Sequence, residues 1–344
     1  MNITWIAPAR PHSKSRRRYA FIGLLFLIVT WATAFSAENT VLRTPDDRFA
    51  ELPGFGFEPH YFSVHSEKFG PLRMHFIDEG SADAPVVLLL HGQGSWSYLY
   101  RNMTPQLVAA GYRVVAPDYI GFGRSDKLPA EADYTFDAHV DWLAAFIAGM
   151  DFTEVTALMF DWGGFFGLRI AGEHPDYIDR MILSNTKMPL GDEPNLDWFY
   201  SWRERMRSLP EFPQGQMVGK GVKKPLPANV IEAYDAPYPD ESYKMGPKSF
   251  TLINPIVPED PPIAANKAAW EALASWEKPV LTLYSDMMAN QAFPPTRFYN
   301  QIPGTRGQPH HIYPDRGFHL VEDETDDIGR RIIAFIEATP VPQN

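Results

Sequence analysis

Cysteine is absent from all 344 residues, which excludes disulfides, thiol nucleophiles and Cys-ligated metal sites. Also missing are H-E-x-x-H, the phosphate-binding loop G-x-x-x-x-G-K-[ST] and G-x-G-x-x-G, so no metal, nucleotide or flavin is implied. The serine elbow G-x-S-x-G does not occur. Positive charge is scarce, with 31 Lys and Arg against 42 Asp and Glu and a net charge of -11. That balance argues against nucleic acid or an anionic membrane surface as partner.

A long apolar run is found at the N-terminus. Lys14, Arg16, Arg17 and Arg18 precede Tyr19–Phe35, which gives way to Ser36-Ala37 and the polar Glu38-Asn39. This is the basic, apolar, small-residue order of a secretory signal, expected to end near Ser36 or Ala37 and to send the protein to the periplasm or outside. At about seventeen residues the run also reaches the short limit of a membrane anchor. An over-extended start, leaving a cytoplasmic protein, is the third alternative. Residues 1–37 hold five basic and no acidic side chains, so the remainder carries -16 and is markedly acidic.

What is plentiful is apolar and aromatic: 45% hydrophobic and 14% aromatic residues, with nine Trp. That suffices for one large core. From Val41 onward, strand-like runs such as Val86–Leu90, Arg113–Ala116, Val155–Phe160, Met181–Ser184 and Val280–Tyr284 alternate with amphipathic stretches such as Phe136–Met150. This rhythm predicts an α/β chain with a mostly parallel sheet covered by helices on both faces. It stops between Lys187 and Asn266, where the chain is rich in Pro, Tyr and Trp. A segment inserted after the sixth sheet strand would lie over the carboxyl ends of the strands, where open α/β sheets bind ligands. The expected division is a leader (1–37), a main domain (41–186 plus 267–340) and a lid (187–266).

The most informative motif is Asp161-Trp162-Gly163-Gly164, directly after the run Val155–Phe160. A strand turning into a helix through two glycines describes a nucleophile elbow. Here it presents a carboxylate, which can displace a leaving group at carbon and become a hydrolysable ester. The next residue brings an indole N–H suited to the departing anion. His91-Gly92-Gln93-Gly94 follows a strand, where the Gln93 amide could join that of Trp162 as an oxyanion hole. His319 lies in the last strand-to-helix loop, in the chain order expected of a general base. Asp286, closing the strand Val280–Tyr284, could hold the imidazole tautomer. Asn185, at the rival position after the sixth strand, cannot ionise. In the lid, Trp202 could complete a two-indole anion site, with Trp198 as its rival four residues earlier on the same face. His139, His310, His311 and Asp118 read as structural.

These residues resemble the haloalkane dehalogenases of the α/β-hydrolase superfamily, from about Val41 to the C-terminus. The resemblance is most specific in Arg43-Thr44-Pro45-Asp46-Asp47-Arg48-Phe49, Trp96-Ser97-Tyr98-Leu99-Tyr100-Arg101, Asp161-Trp162-Gly163-Gly164 and Tyr238-Pro239-Asp240-Glu241-Ser242-Tyr243. It implies an α/β-hydrolase fold with an eight-stranded sheet and an inserted helical cap. It further implies Asp161 as nucleophile, His319 as base, Asp286 as acid, Trp162 and Trp202 as halide ligands, and the Gln93 and Trp162 amides as oxyanion donors. The implied partners are a small halogenated hydrocarbon, water and halide ion, with no metal or other cofactor. Three residues depart from the family pattern: Gly94 where Pro is usual, Phe160 where Gln commonly precedes the nucleophile, and Met159 where a small residue is frequent. An epoxide hydrolase, which also uses an Asp elbow, is the enzymatic alternative. Such an enzyme needs a proton donor for the alkoxide, and the lid offers Tyr200, Tyr234, Tyr238 and Tyr243. A binding or sensor protein on a disused hydrolase scaffold is the non-enzymatic one.

Overall fold

The structure is a computed structural model that describes residues 40–341 apart from Ala292. The expected leader, 1–37, lies outside the described residues, as does any decision on its cleavage. Residues from Val41 onward form a compact unit of their own.

Eight strands make one sheet: β1 (His60–Ser66), β2 (Gly70–Glu79), β3 (Val86–Leu90), β4 (Arg113–Pro117), β5 (Thr156–Phe160), β6 (Arg180–Ser184), β7 (Val280–Ser285) and β8 (His311–Tyr313). Their order is β1-β2-β4-β3-β5-β6-β7-β8. The pairs β1/β2 and β2/β4 are antiparallel, and every later pair is parallel. The parallel strands β3, β5, β6 and β7 are buried along their whole length. That is why they read in the sequence as unbroken apolar runs rather than alternating ones.

Helices α1 (Met103–Ala109), α2 (Phe136–Gly149) and α3 (Trp162–Glu173) alternate with the strands up to β6. Between β6 and β7 come α4 (Leu196–Arg207), α5 (Gln214–Gly221), α6 (Ala228–Asp235), α7 (Met245–Ile253) and α8 (Ile263–Leu273). Then follow α9 (Asp286–Gln291), α10 (Thr296–Gln301), α11 (Leu320–Asp323) and α12 (Thr325–Ala338). The fold is thus the expected mostly parallel sheet with an inserted helical segment. The lid boundary at 266/267 cuts through α8. That helix packs on α3 so closely that a Cβ on Gly172 would sit 2.5 Å from the Ala269 carbonyl oxygen. It therefore belongs to the layer covering the sheet.

Two apolar clusters, one on each face, sandwich the sheet. One gathers Leu88, Leu90, Phe122, Phe146, Phe166 and Phe250; the other gathers Leu89, Trp96, Tyr98, Leu158, Phe160 and Ile332. Alternate residues of β3 and β5 thus feed opposite faces, as the strand period of two requires. Phe250 of α7 and Tyr234 of α6 are fully buried in these clusters, so the lid is packed into the core and not merely tethered.

Candidate active site

Asp161 closes β5 and caps α3 with φ 52° and ψ -116°, a left-handed backbone that a residue with a Cβ holds only under constraint. The constraint is visible on every side. The Asp161 amide donates to Ser184 O at 3.2 Å, and its carbonyl accepts the Thr186 hydroxyl at 2.6 Å and the Gly164 amide at 2.9 Å. A Cβ on Gly163 would lie 2.2 Å from the Leu90 carbonyl oxygen, and one on Gly164 would lie 2.0 Å from Thr186 Oγ1. Both glycines are needed for close approach, with the elbow wedged between β3 and the residues after β6.

The strained turn thrusts the carboxylate toward the β3 loop. Gln93 N donates to Asp161 Oδ2 at 2.8 Å, and the Trp162 amide also hydrogen-bonds the carboxylate. The two amides expected as oxyanion donors therefore converge, and they do so on the Asp161 carboxyl group. The Gln93 amide engages Oδ2 and makes no hydrogen bond to Oδ1. Asp161 is 4% exposed. Burial pushes its pKa up to about 7, while the two amides and the charge of Lys187 pull the other way.

The same turn lies against His319. A Cβ on Gly92 would strike Asp161 Oδ2 at 2.5 Å, whereas one on Gly94 would lie 3.7 Å from His319 Nε2. Gly94 has φ +83°, which proline cannot adopt. The turn as it runs here therefore suits glycine at this position, and the Gln93 amide reaches Asp161 Oδ2. Of the other departures, Phe160 is buried with its ring centroid 5.7 Å from that of His319, and Met159 faces Gly167 of α3 on the opposite side. Phe160 therefore forms part of the wall around the His319 ring.

His319 is 2% exposed, and burial lowers its pKa to about 3, so it is neutral and able to accept a proton. Its amide donates to Gly221 O at 2.9 Å, which ties the base loop to the end of α5 in the lid. Behind it, Arg101 makes a bidentate ion pair with Glu322 at 2.6 and 2.9 Å, and the Tyr234 hydroxyl donates to the same carboxylate at 2.6 Å.

Two expected contacts are not formed. Asp286 stands at the end of β7, but its carboxylate accepts the amides of Asp315 at 2.9 Å and Arg316 at 3.3 Å. The buried Nδ1 of His319 has no hydrogen-bond partner among the described residues. Asp286 is the first residue of α9, and its acceptor capacity is directed to the backbone of the β8 loop. Trp202, on α4, packs with Trp198 (centroids 6.4 Å apart) and Phe199 (5.6 Å), with no ring contact to Trp162. The face of Trp162 is covered by Phe250 of α7, 4.1 Å away and tilted by 30°. Trp198 itself is 65% exposed on the outer side of α4.

Sequence reasoning missed Lys187 and Phe250. Lys187 follows β6, pairs with Glu193, and has its Nζ 4.7 Å from the Phe293 ring centroid. Burial lowers its pKa. Neither residue lies in a motif, and only folding brings them to the elbow. The residues read as structural behave so. Asp118 is buried, accepting Ser97 N at 2.7 Å, Arg124 N at 2.9 Å and the His75 ring at 2.7 Å. His139 stacks on Phe166. Among the described residues no cluster of three or more His, Asp or Glu side chains could hold a metal.

Comparison with known proteins bears on the family and the fold. The α/β-hydrolase-fold family profile matches residues 85–222. A haloalkane dehalogenase of Psychrobacter cryohalolentis is 43% identical over 300 residues, covering 87% of this chain and 99% of the relative. One from Mycobacterium marinum is 44% identical over 297 residues, covering 86% and 99%. Among solved structures, the haloalkane dehalogenase DpaA of Paraglaciecola agarilytica superimposes with a TM-score of 0.76 at 30% identity, covering 85% of this chain and 97% of that one.

Proposed function

Because this chain belongs to the haloalkane dehalogenase family, we propose that Asp161 displaces halide from a haloalkane and that His319 directs water onto the resulting ester. The observation that carries the reading is the strained elbow, with Asp161 Oδ2 already seated on the Gln93 amide at 2.8 Å. Oδ1 attacks the halogen-bearing carbon in line, and the carbon–halogen bond breaks as the carbon–oxygen bond forms. Trp162 is the first halide ligand, its indole adjoining the nucleophile; Trp202 would join it only if α4 turned inward. Water then gives a proton to His319 and adds to Cγ of Asp161, and the oxyanion develops where the two amides point. Collapse releases the alcohol, and the net products are alcohol, halide and a proton.

The test is a protein beginning near Glu38, supplied with bromo- and chloroalkanes beside styrene oxide while halide, acid and diol are followed. Halide with equimolar acid is expected, and diol without halide would overturn the reading. The Tyr234 hydroxyl, committed to Glu322, is unfit as the proton donor an epoxide needs. Export through residues 1–37, and a physiological role in detoxifying halogenated hydrocarbons, complete the proposal. The first is checked by N-terminal sequencing of the exported protein. Wild-type and gene-deleted cells grown on a bromoalkane check the second.

A further inference from the structure

We infer that His319 works with no carboxylate on its Nδ1, held instead by backbone tethers through Asn185 and Gly221. The inference rests on the reading of His319 as the base that opens the ester. Each carboxylate near the base loop is committed elsewhere. Asp286 accepts the Asp315 and Arg316 amides. Glu322 is saturated by Arg101 and Tyr234. Asp323 accepts the amides of Lys223 and Lys224 at 2.9 to 3.0 Å. The imidazole lies near two phenyl rings, with Phe318 at 5.2 Å and Phe160 at 5.7 Å between centroids. Burial alone, with no charged neighbour contributing, accounts for its lowered pKa.

What holds the loop is an amide. Asn185, buried at the end of β6 with φ +42°, accepts Ser285 N at 2.9 Å and donates through Nδ2 to Phe318 O at 2.8 Å. It needs both a donor and an acceptor there, which a carboxylate does not provide. On the other side Gly221 O accepts the His319 amide, and a Cβ on Gly221 would meet His319 Cδ2 at 2.3 Å. Ring and loop are thus fixed from two sides. In the hydrolytic step the water proton goes to His319, the oxygen adds to Asp161 Cγ, and the departing alkoxide takes the proton back. The imidazolium that exists between these events has no counter-charge at Nδ1, so ester opening is the slow half of the cycle.

Asp286→Asn tests this directly. Wild type and variant are mixed with 1-bromohexane, quenched over time, and the alkylated Asp161 peptide is quantified by mass spectrometry. The expected result is accumulation of the ester in both proteins, with decay rates within about twofold of each other. In triads where the carboxylate does orient the imidazole, its amide variant falls by roughly 10⁴-fold. A fall in ester decay approaching that size would overturn the inference while leaving the dehalogenase reading intact. Absence of both halide and ester in the wild type would sink both together, and their absence in a folded Asp286→Asn alone would overturn the inference. Should Asp286→Asn not fold, the wild-type imidazole proton spectrum decides. No strongly deshielded Nδ1 proton is expected, and one that disappears in His319→Gln would refute the inference.

Discussion

Burying the Asp161 carboxyl works against the fold, and Asp161→Asn measures by how much. The ordinary value for the carboxyl is 3.8, and burial raises it to about 7 in the folded protein. A folded-state pKa above the unfolded one means that the stability present below pH 3.8 is lost as the pH rises toward 7, with no further loss above it. The difference of about 3, at 1.36 kcal/mol each, comes to on the order of 4 kcal/mol at pH 8. Asn keeps a carbonyl oxygen for the Gln93 amide but needs no ionisation, so it escapes this cost. Urea melts of wild type and variant should therefore differ by less than about 1 kcal/mol at pH 4, and by roughly 3–4 kcal/mol in favour of Asn at pH 8. The same variant should lose halide release. An equal stability difference at both pH values, or a less stable variant at pH 8, would refute the argument that Asp161 is held against its ionisation.

Three further outcomes follow from the same geometry. His319→Ala should release one equivalent of halide and stop, leaving the Asp161 peptide heavier by one alkyl group; an unmodified peptide after prolonged incubation would count against the covalent route. Lys187→Met removes a charge that favours ionised Asp161, so the rising limb of alkylation rate against pH, set near 7 by Asp161, should move upward; an unmoved midpoint would show that the two do not interact. Arg101→Met strands the buried Glu322 carboxylate behind the base loop and should cost about 3–5 kcal/mol in denaturant melts, where a loss below about 1 would contradict the pairing.

The strands were legible because the parallel ones are buried on both faces, and such strands must be written as apolar runs. Val86–Leu90 is found where it was expected, and the others differ at their ends by a few residues at most. Asp161, Trp162 and Gln93 were legible for a similar reason. The strain at φ 52° and the close approach of Gly163 and Gly164 oblige a local sequence that carries its own signature. The lid was recognised as an insertion but misjudged at its end, since nothing in Ile263–Leu273 announces that it packs on α3. Asp286 and Trp202 were placed by position in the chain, and position does not say where a side chain's hydrogen bonds go.

The sequence by itself determined the sheet and the elbow that carries a carboxylate, because each is enforced by contacts within a few residues or by burial on a strand. Tertiary structure alone decided the surroundings of the site: Lys187 near the nucleophile, Phe250 over Trp162, Asn185 under the base loop, and Asp286 turned to the backbone of Asp315 and Arg316. These depend on which loops meet at the carboxyl ends of the strands. Residues far apart in the chain meet there only once the lid has folded onto the sheet, so no local pattern records them.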